Sequence, residues 1–520
     1  MEYQSFLDLC FDKIILPLDD CNDPIFLKKT VHVSHILSAL LSLDRSSKIP
    51  VYIQIANQIA SHIRSGTLGP GSKLPSSRDL AVILDVHRTT VVLAFDELLN
   101  QEWVESRKGK GTYVLGSLPV PQVQTPQEVE GENKNYLTQA GFRFTTRDSL
   151  NVPIVKSTTR LHLDDGLPDP RLAPLEDLSR AIRTQLLTGD PYSRLGYGDT
   201  KGSLWLRQEL STYLNETRGM SITPENILIV RGLIMGLHLV SASMLAPGDL
   251  AAVAAPGWSV ARMNFVNARA KIVEVPVDEY GMDIDALERL CCKKAVRLVY
   301  LCPHHSYPTT VSLRSDRRMH LLQLSQKYGF IIFEDDYDYD YHYLSKPLLP
   351  LFSADKSGTV LYCGSFSKTI SPTFRVGYLV GPVDAIDCMA QLRRIIDRQG
   401  DQVLENAVAE LLHSGIIQRH LRKALRAYRQ RRDYLGGLMA SELAGKVAFR
   451  VPDGGMAVWT SFDNTLDLQK IAKQALTKGL YFADGSGYGF TAVNNQARLG
   501  FASSTLAELE ESIDIIKHFV

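Results

Sequence analysis

Gly364-Ser365-Phe366-Ser367-Lys368 stands between two apolar runs, and Arg375 follows the lysine by seven residues. Because segments 360–363 and 376–380 are apolar, the fold can remove this lysine from water. Desolvation lowers the pKa of a lysine and frees its amine as a nucleophile, which a Schiff base with an aldehyde requires. Two hydroxyls and a forked guanidinium at this spacing suit a phosphate monoester. The alternative is a lysine that lies in solvent at a strand end.

A second segment lies thirty-three residues upstream. Residues 330–333 form a short apolar run typical of a buried parallel strand, and the run ends in Glu334-Asp335-Asp336-Tyr337. Sheets of α/β proteins place ligand groups at this carboxyl edge. Pyridoxal chemistry needs a carboxylate that keeps the ring nitrogen protonated, and a nearby phenol can donate to the ring's O3′. Asp335 and Tyr337 are residues of these types, so the two segments together predict a pyridoxal-phosphate pocket.

These motifs carry a family resemblance. Asp335-x-Tyr337 on one strand, then Ser365-x-Ser367-Lys368 and Arg375, resemble fold-type I aminotransferases. The fuller strings at 334–338 and 364–368 resemble MocR-type regulators, in which an aminotransferase-like domain is fused to a GntR-type winged helix. The resemblance implies an α/β fold. The chain would then contain an N-terminal winged helix-turn-helix followed by a fold-type I PLP-dependent aminotransferase domain. That domain would have a mostly parallel sheet, helices on both faces and a small C-terminal α+β subdomain.

The resemblance also implies roles for the motif residues. Lys368 would hold pyridoxal 5′-phosphate as an internal aldimine and would be the catalytic residue. Asp335 would hold the pyridinium proton, and Tyr337 would contact O3′. The phosphate would be bound by Ser365, Ser367 and Arg375.

Residues 49–115 carry the pattern of a winged helix-turn-helix. Apolar residues follow a helical period at 55–63, and glycines then end that helix. A second helix with a hydroxyl cap leads through the short turn at 85–87 into the recognition helix, as in helix-turn-helix motifs. Short strands flank a basic wing at 107–110. The whole segment resembles the GntR-type winged helix, with Asp85 where that family usually has glycine.

The placement of charge, more than its amount, indicates DNA binding. Nine Lys and Arg stand against seven Asp and Glu between Asp44 and Leu115, so the surplus is small. Basic and hydroxyl residues at helix starts and in the wing can contact phosphates, and an arginine heading the recognition helix can pair with guanine. The alternative is a small helical domain with solvated arginines. The predicted DNA-binding residues are Ser76, Ser77, Arg78, His87, Arg88, Thr89, Thr90, Lys108 and Lys110.

The composition is ordinary for a globular protein, with 45% hydrophobic and 22% charged residues in a chain of 520. The formal net charge is zero, so DNA affinity must come from a local patch. The seven cysteines include no CxxC pair, which fits a reducing compartment, and no zinc spacing predicts a metal site. An acidic N-terminus and the lack of a long apolar run predict a cytoplasmic protein without a membrane span.

The chain predicts four parts. From residue 161 onward, strand-like runs alternate with longer helical patterns, which is typical of a mostly parallel sheet covered on both faces. The predicted strands lie at 227–230, 251–254, 272–275, 298–301, 331–333 and 360–363. The predicted parts are an N-terminal extension (1–45), the winged helix-turn-helix (46–115), a linker (116–158) and the aminotransferase-like domain that binds PLP and the effector (159–520).

The resemblance extends to the phosphate end of the pocket. Tyr197 lies in a Tyr-Gly-Asp segment, and in related enzymes this tyrosine reaches the cofactor phosphate of the neighbouring subunit. Gly232 and Leu233 open a helix whose backbone N–H groups would cradle the phosphate. Leu233 replaces a polar residue that family members often have there, so backbone contacts are expected to persist where side-chain contacts do not.

The ring and effector ends are matched by three further positions. Trp258 stands where the family has an aromatic residue stacked on the pyridine ring. Tyr307 belongs to a loop near O3′, in which Ser306 and Thr310 replace the family's glutamine and glycine. Arg498 stands at the late arginine that pairs with a substrate carboxylate, for which a bidentate guanidinium is the natural partner.

The sequence thus predicts a PLP-dependent transcriptional regulator that binds operator DNA and senses an amino acid or amine through aldimine formation at Lys368. By resemblance it would be a head-to-tail homodimer. The alternative is an aminotransferase, slow or fully active, that carries a DNA-binding domain. A third possibility is a GntR-type repressor that has lost its cofactor, which conflicts with the presence of Lys368, Asp335 and Arg375.

Overall fold

The structure, a computed structural model, describes residue 37 and residues 40–116, 140–146, 159–344, 348–488 and 495–520. The chain divides into two compact units, residues 1–143 and residues 144–520. Most of the predicted N-terminal extension and most of the predicted linker lie outside the described residues. Among the helices that the structure describes, none combines the length and apolar character needed to cross a bilayer.

The first unit contains a three-helix core and a two-stranded hairpin. Its elements are α1 (Val51–Arg64), α2 (Ser77–Ile83), α3 (Arg88–Asn100), β1 (Val104–Arg107) and β2 (Gly111–Val114). The buried face of α1 carries Ile55, Ile59 and Ile63, which recur every four residues and pack against α3. The backbone N–H of Leu74 donates to the carbonyl of Thr112, so the chain before α2 extends the hairpin. This arrangement confirms the predicted winged helix-turn-helix.

The strands of the second unit are, in chain order, β3 (Leu161–Leu163), β4 (Ile227–Val230), β5 (Leu250–Ala255), β6 (Lys271–Asp278), β7 (Gly281–Met282), β8 (Val296–Leu301), β9 (Ile331–Asp336), β10 (Val360–Ser365), β11 (Gly377–Val380), β12 (Val447–Phe449), β13 (Ala457–Phe462), β14 (Leu480–Phe482) and β15 (Gln496–Gly500). Its helices are α4 (Leu175–Leu187), α5 (Pro191–Leu195), α6 (Leu204–Arg218), α7 (Leu233–Met244), α8 (Ser259–Asn267), α9 (Ile284–Cys291), α10 (Ser315–Tyr328), α11 (Leu351–Ala354), α12 (Val383–Ile396), α13 (Gln402–His413), α14 (Ile416–Glu442), α15 (Leu468–Thr477) and α16 (Leu506–Lys517).

The central sheet has the order β4-β11-β10-β9-β8-β5-β6-β7. Strands β10, β9, β8, β5 and β6 pair in parallel, whereas β11 is antiparallel to both of its neighbours. All six predicted strands are present, and β7 and β11 are the two strands of this sheet that the sequence analysis did not include. Because the carboxyl ends of β9 and β10 meet at one edge, the residues that follow them come together there.

The sheet is covered on both faces, as predicted. Along β9, Phe333 packs into a core formed with α7, α8 and α12, while Ile332 packs into a second core formed with α9 and α10. This alternation follows from the period of two in a strand. Because both faces are buried, the strand reads as a continuous apolar run until it reaches its acidic end.

A smaller C-terminal part contains the antiparallel sheet β12-β13-β15 with α14, α15 and α16 beside it. Strand β14 pairs in parallel with β3, so the chain just before Asp164 joins this part of the molecule. The pairing brings the loop after β3 next to the end of the central sheet. This C-terminal part matches the predicted α+β subdomain.

Candidate functional site

A cavity of about 230 Å³ opens at the carboxyl edge of the central sheet. Its walls come from the ends of β8, β9 and β10, the start of α7 and the loop after β3. The predicted cofactor residues that line it are Leu233, Trp258, Tyr307, Asp335, Tyr337, Ser365, Ser367, Lys368 and Arg375. The fold therefore brings together residues from five separate segments of the sequence.

Lys368 follows β10 by three residues and projects into the cavity, where it is half-buried. Its Nζ donates a hydrogen bond to the carbonyl of Gly166 at 2.6 Å. Burial lowers the pKa of Lys368, and the nearby carboxylates of Asp165 and Asp164 oppose that change. A lowered pKa makes the amine available as a nucleophile at a smaller cost of deprotonation.

Asp335 lies on β9 and is buried. Its Oδ2 accepts hydrogen bonds from the Tyr300 hydroxyl at 2.6 Å and from the Cys302 thiol at 3.5 Å. Its Oδ1 is buried and has no hydrogen-bond partner among the described residues. Burial raises the pKa of Asp335 to about 7. A buried carboxyl with one free oxygen fits a protonated ring nitrogen, which would supply both the missing hydrogen bond and a positive charge.

Two tyrosines and a tryptophan form the walls around the ring position. The Tyr337 hydroxyl donates to the carbonyl of His305 at 2.7 Å, so the proton predicted to reach O3′ is committed elsewhere. Tyr307 donates its hydroxyl proton to Asp165. Trp258, the residue just before α8, is half-buried in the wall. Their predicted contacts with a cofactor stay predictions.

The opposite end of the cavity is rich in hydrogen-bond donors. The Ser365 hydroxyl donates to Ser367 at 2.9 Å, and Nη1 of Arg375 lies 3.4 Å from the same Ser367 hydroxyl. Gly232 caps α7 with a φ of +76°, and a Cβ there would lie 2.5 Å from Nη2 of Arg375. The first N–H groups of a helix have no partner within it. Together with the positive end of the helix dipole, these donors can hold a phosphate dianion.

Arg498 lies on β15 and is not among the described residues that line the cavity. Its side chain is 1% exposed, and its Nε lies 3.3 Å from Oδ1 of Asp165. Its Nη1 donates to the carbonyl of Pro308 at 2.9 Å. The predicted carboxylate-binding arginine therefore already faces a carboxylate of its own chain.

Tyr197 lies away from the cavity. Its side chain is 79% exposed, and the guanidinium of Arg398 lies over its ring at 3.9 Å from the ring centre. Its predicted target belongs to a neighbouring subunit, so its predicted role stays a prediction.

Three residues of the site were missed by the sequence analysis. Tyr300 and Cys302 hold Asp335, and Asp165 stands between Lys368 and Arg498. A tyrosine inside the apolar run 298–301 was a usable signal, because a buried hydroxyl needs a partner. Asp165 gave no such signal, since its contact with Arg498 joins residues more than three hundred positions apart.

The donor set fits pyridoxal phosphate. The free Oδ1 of Asp335 suits the ring nitrogen, the half-buried amine of Lys368 suits the aldehyde, and the Gly232 and Arg375 region suits the phosphate. Among the described residues, no cluster of three or more His, Cys, Asp or Glu side chains is placed to hold a metal ion.

In the first unit, the predicted DNA-contacting residues gather at the starts of α2 and α3. Ser76 caps α2 by accepting from the N–H of Asp79. His87 caps α3, and its Nδ1 lies 2.6 Å from the Thr89 hydroxyl. Nε of Arg88 donates to Ser77 at 3.3 Å, which links the two helices. Ser76, Arg78, His87, Arg88 and Thr89 are exposed, while Ser77 and Thr90 are half-buried.

The wing and the turn carry further features of this surface. Lys108 and Lys110 are exposed at the hairpin tip on either side of Gly109, which has a φ of +72°. Arg107 is engaged instead with Glu105 at 2.6 Å. Asp85 adopts a φ of +50°, which explains why this position usually takes glycine, and Arg45 donates to its backbone carbonyl at 2.8 Å.

Models of two protein families match the chain. The family described as aminotransferase class I and II matches residues 167–516. The family described as bacterial regulatory proteins, gntR family, matches residues 51–114. The second match spans α1 to β2, and the first spans the central sheet and the C-terminal part.

Two regulators are similar over nearly the whole chain. The probable rhizopine catabolism regulatory protein MocR of Rhizobium meliloti is 27% identical over 489 residues, which are 92% of this chain and 95% of that protein. The HTH-type pyridoxine biosynthesis transcriptional regulator PdxR of Corynebacterium glutamicum is 29% identical over 488 residues, or 91% and 98% of the two chains.

Solved aminotransferases resemble the second unit. Kynurenine aminotransferase of Pyrococcus horikoshii, in complex with PMP, aligns with a TM-score of 0.66 and 27% identity over 72% of this chain and 97% of its own. LysN of Thermus thermophilus, an alpha-aminoadipate aminotransferase complexed with N-(5′-phosphopyridoxyl)-L-leucine, aligns with a TM-score of 0.64 and 27% identity over 69% and 91%. The chain therefore belongs to the aminotransferase class I and II family, with a GntR-family DNA-binding domain ahead of the aminotransferase-like domain, as in MocR-type regulators.

Proposed function

We propose that this chain is a PLP-dependent transcriptional regulator whose aminotransferase-like domain senses an amine or amino acid at Lys368. The observation that carries the proposal is Oδ1 of Asp335, which is buried without a partner among the described residues and lies in the same cavity as the Lys368 amine. An unpaired buried carboxylate oxygen costs stability, so its retention indicates a partner other than the described residues. A protonated pyridine nitrogen is such a partner.

The two ends of the cavity have opposite electrostatic character, which supports one orientation of the cofactor. Asp335 offers a negative or neutral carboxyl at the ring end. Arg375 and the start of α7 offer positive charge and N–H donors at the phosphate end. Trp258 would stack on the ring, and Gly232 and Leu233 would approach the phosphate with their backbone.

When bound, pyridoxal phosphate supplies an aldehyde carbon that amines attack and a ring that withdraws electrons from it. Lys368 would hold that carbon through its Nζ. An effector amine would compete with Lys368 for that carbon, and Lys368 would be the group that holds or accepts a proton there. Asp335 would hold the proton on the ring nitrogen.

Release of the Lys368 amine would be the event that changes the affinity for DNA. The amine would lose its tether, and the hydrogen bond to Gly166 could form again. An effector changes operator affinity only by its differential binding to two conformations. We propose that residues 46–115 contact DNA, that residues 159–520 sense the effector, and that a linker joins the two. We also propose that two such chains form a head-to-tail homodimer. Because the target is genomic DNA, the proposed place of action is the cytoplasm.

The test combines absorbance with DNA binding. Protein incubated with pyridoxal phosphate should show the visible absorbance band of a lysine-linked cofactor. Reduction with borohydride should attach the cofactor permanently, and mass spectrometry should then find the added mass on the peptide that contains Lys368. Lys368→Ala should lose both signals but keep its affinity for a DNA fragment selected by the protein from a random pool. Lys356→Ala, at an exposed lysine, is the matched control and should behave as wild type. A wild-type protein without the band would overturn the cofactor proposal.

A second candidate function is aminotransferase activity, favoured by the lowered pKa of Lys368. A free lysine amine near the reacting carbon is also what proton transfer in transamination needs. Sustained formation of a 2-oxo acid from an amino donor, lost in Lys368→Ala, would favour the enzyme. Formation of no more than one product per site would favour the regulator.

A further inference from the structure

Asp165 is a carboxylate on the cavity wall that belongs to neither the ring end nor the phosphate end. It follows β3 by two residues, and its side chain is 41% exposed. The next residue, Gly166, accepts the hydrogen bond from Nζ of Lys368. Asp165 therefore stands beside the nitrogen that an effector amine would replace.

Asp165 forms an ion pair with Arg498, the residue predicted to bind an effector carboxylate. Its Oδ1 lies 3.3 Å from Nε of Arg498, and its Oδ2 accepts from the Tyr307 hydroxyl. Neither Oδ1 of Asp165 nor Nε of Arg498 makes a well-directed hydrogen bond to any described residue. The pair is thus held by charge, and of the two residues Asp165 lines the cavity whereas Arg498 does not.

The remaining guanidinium nitrogens of Arg498 are also directed at the chain itself. Nη1 donates to the carbonyl of Pro308 at 2.9 Å, and Nη2 lies 3.4 Å from the Tyr337 hydroxyl. A substrate carboxylate would need at least two of these donors for bidentate binding. In the described geometry Nε faces Asp165 and Nη1 is engaged by Pro308, so a bidentate carboxylate would have to displace at least one of these contacts.

The neighbouring acid does not share this position. Asp164 is buried, its Oδ1 accepts from the backbone N–H groups of Gly166 and Leu167, and its Oδ2 accepts from Ser503. Asp164 therefore shapes the loop, whereas Asp165 presents its carboxyl group to the cavity. Burial raises the pKa of Asp165, and the positive charge of Arg498 opposes that change. Of these two consecutive acids, only Asp165 can meet an effector.

We propose that Asp165 selects the effector, so that the site takes primary amines without a carboxylate on the carbon that bears the reacting nitrogen. This inference rests on the proposed function, because it assumes that an amine reacts at Lys368. A carboxylate at that carbon would be repelled by Asp165 and denied Arg498. An amine with hydrogen or a donor group there would meet no such opposition.

The test uses ligand pairs that differ only by the carboxylate. Ethylamine is compared with L-alanine, and 1,5-diaminopentane with L-lysine, by titration of the cofactor-loaded protein. The readouts are the shift of the absorbance band and the change in affinity for the selected DNA fragment. We expect each amine to bind at least about tenfold more tightly than its amino acid, the effect of one charged hydrogen bond.

Variants then assign the preference to the charge of Asp165. Asp165→Asn keeps the shape and removes the charge, and it should reduce or reverse the preference in both ligand pairs. Asp165→Glu keeps the charge and should retain the preference for amines. Equal or tighter binding of L-alanine and L-lysine to wild type would overturn the inference, and so would an unchanged preference in Asp165→Asn.

The two proposals fail in different ways. A wild-type protein that shows no lysine-linked band fails before any amine is added, which removes the proposed function and this inference together. A normal band with a preference for amino acids removes the inference alone. The wild-type comparison needs no variant, so a poorly folded Asp165→Asn protein would not prevent a decision.

Discussion

Gly232 leaves little room for a side chain at the phosphate end of the site. Its φ of +76° and ψ of 176° belong to a region that side chains rarely adopt, and a Cβ would lie 2.5 Å from Nη2 of Arg375. Gly232→Ala should therefore displace Arg375 from the phosphate end. We expect cofactor affinity to fall at least about tenfold, the loss of one charged hydrogen bond, as measured by titration of the absorbance band.

The control for Gly232→Ala is Gly248→Ala. Gly248 also has a positive φ, +94°, but a Cβ there would meet no atom within 4 Å. Both substitutions should reduce stability by about 1–2 kcal/mol, the cost of a side chain in this backbone region. Only Gly232→Ala should weaken cofactor binding. Equal cofactor affinities in the two variants would show that the position of Arg375 does not depend on the absence of a side chain at Gly232.

Asp335 makes the stability of the cofactor-free protein depend on pH. Burial raises its pKa to about 7, whereas an unfolded aspartate titrates near 3.9. Between these values the folded chain keeps a proton that the unfolded chain releases, so folding loses stability as pH rises from about 4 to about 7. Asp335→Asn cannot titrate and lacks this loss.

We therefore expect a smaller difference in unfolding free energy between pH 5 and pH 8 in Asp335→Asn than in wild type. The reduction should be about 1–3 kcal/mol, since one pKa unit corresponds to about 1.4 kcal/mol. Denaturant unfolding, followed by tryptophan fluorescence without cofactor, measures it. Identical pH dependence in the two proteins would mean that Asp335 is ionised in the folded chain throughout this range.

At the scale of elements, β9 shows how far the sequence predicts the site. Its period of two directs Asp335 to the cavity and Glu334 and Asp336 to the other face. Glu334 accepts from the backbone N–H groups of Leu351 and Phe352, and Asp336 accepts from Tyr362. The alternation was readable from the sequence, and it singles out the middle acid. The partners were not readable, because they come from distant segments.

The helix-turn-helix and the wing are expected to contact DNA in different ways. Arg88 is exposed at the start of α3, where its guanidinium can reach a base edge. Lys108 is exposed at the tip of the hairpin, where we expect its ammonium to contact a backbone phosphate.

Arg88→Ala should cost about 1–3 kcal/mol in binding to the selected DNA fragment and much less on random DNA. Lys108→Ala should weaken binding to the selected fragment and to random DNA alike. It should also reduce the salt dependence of the affinity by about the amount that corresponds to one phosphate contact. Fluorescence anisotropy at several salt concentrations separates the two effects. Equal losses on both fragments in Arg88→Ala would place that arginine on the backbone.

At the scale of the whole molecule, the parallel sheet and both halves of the architecture were predictable because they depend on local apolar periods and short motifs. The antiparallel β11 was not predicted, since its run at 377–380 is apolar like its neighbours and carries no signal of direction. The pairing of β3 with β14 joins segments more than three hundred residues apart. Asp165, two residues after β3, likewise lies beside Arg498 on β15, so this contact could not be derived from local patterns.

The predicted head-to-tail dimer is tested by Tyr197, which lies outside its own cavity with 79% of its side chain exposed. If Tyr197 reaches the partner's phosphate site, its loss and the loss of Lys368 should complement each other. In a mixed dimer of one Tyr197→Ala subunit and one Lys368→Ala subunit, the first subunit keeps Lys368 and receives Tyr197 from the second. One site per dimer would then be complete, and the other would lack both residues.

Mixed dimers can be isolated with two different affinity tags on the two variants. We expect them to show about half of the wild-type band per dimer at a cofactor concentration at which either variant alone shows little. That recovery follows only if the phosphate site is shared between subunits. If Tyr197 acts within its own subunit, neither site is complete and no recovery occurs. Dimers that carry both substitutions on one subunit give the opposite arrangement, in which each site lacks one residue under the shared-site model.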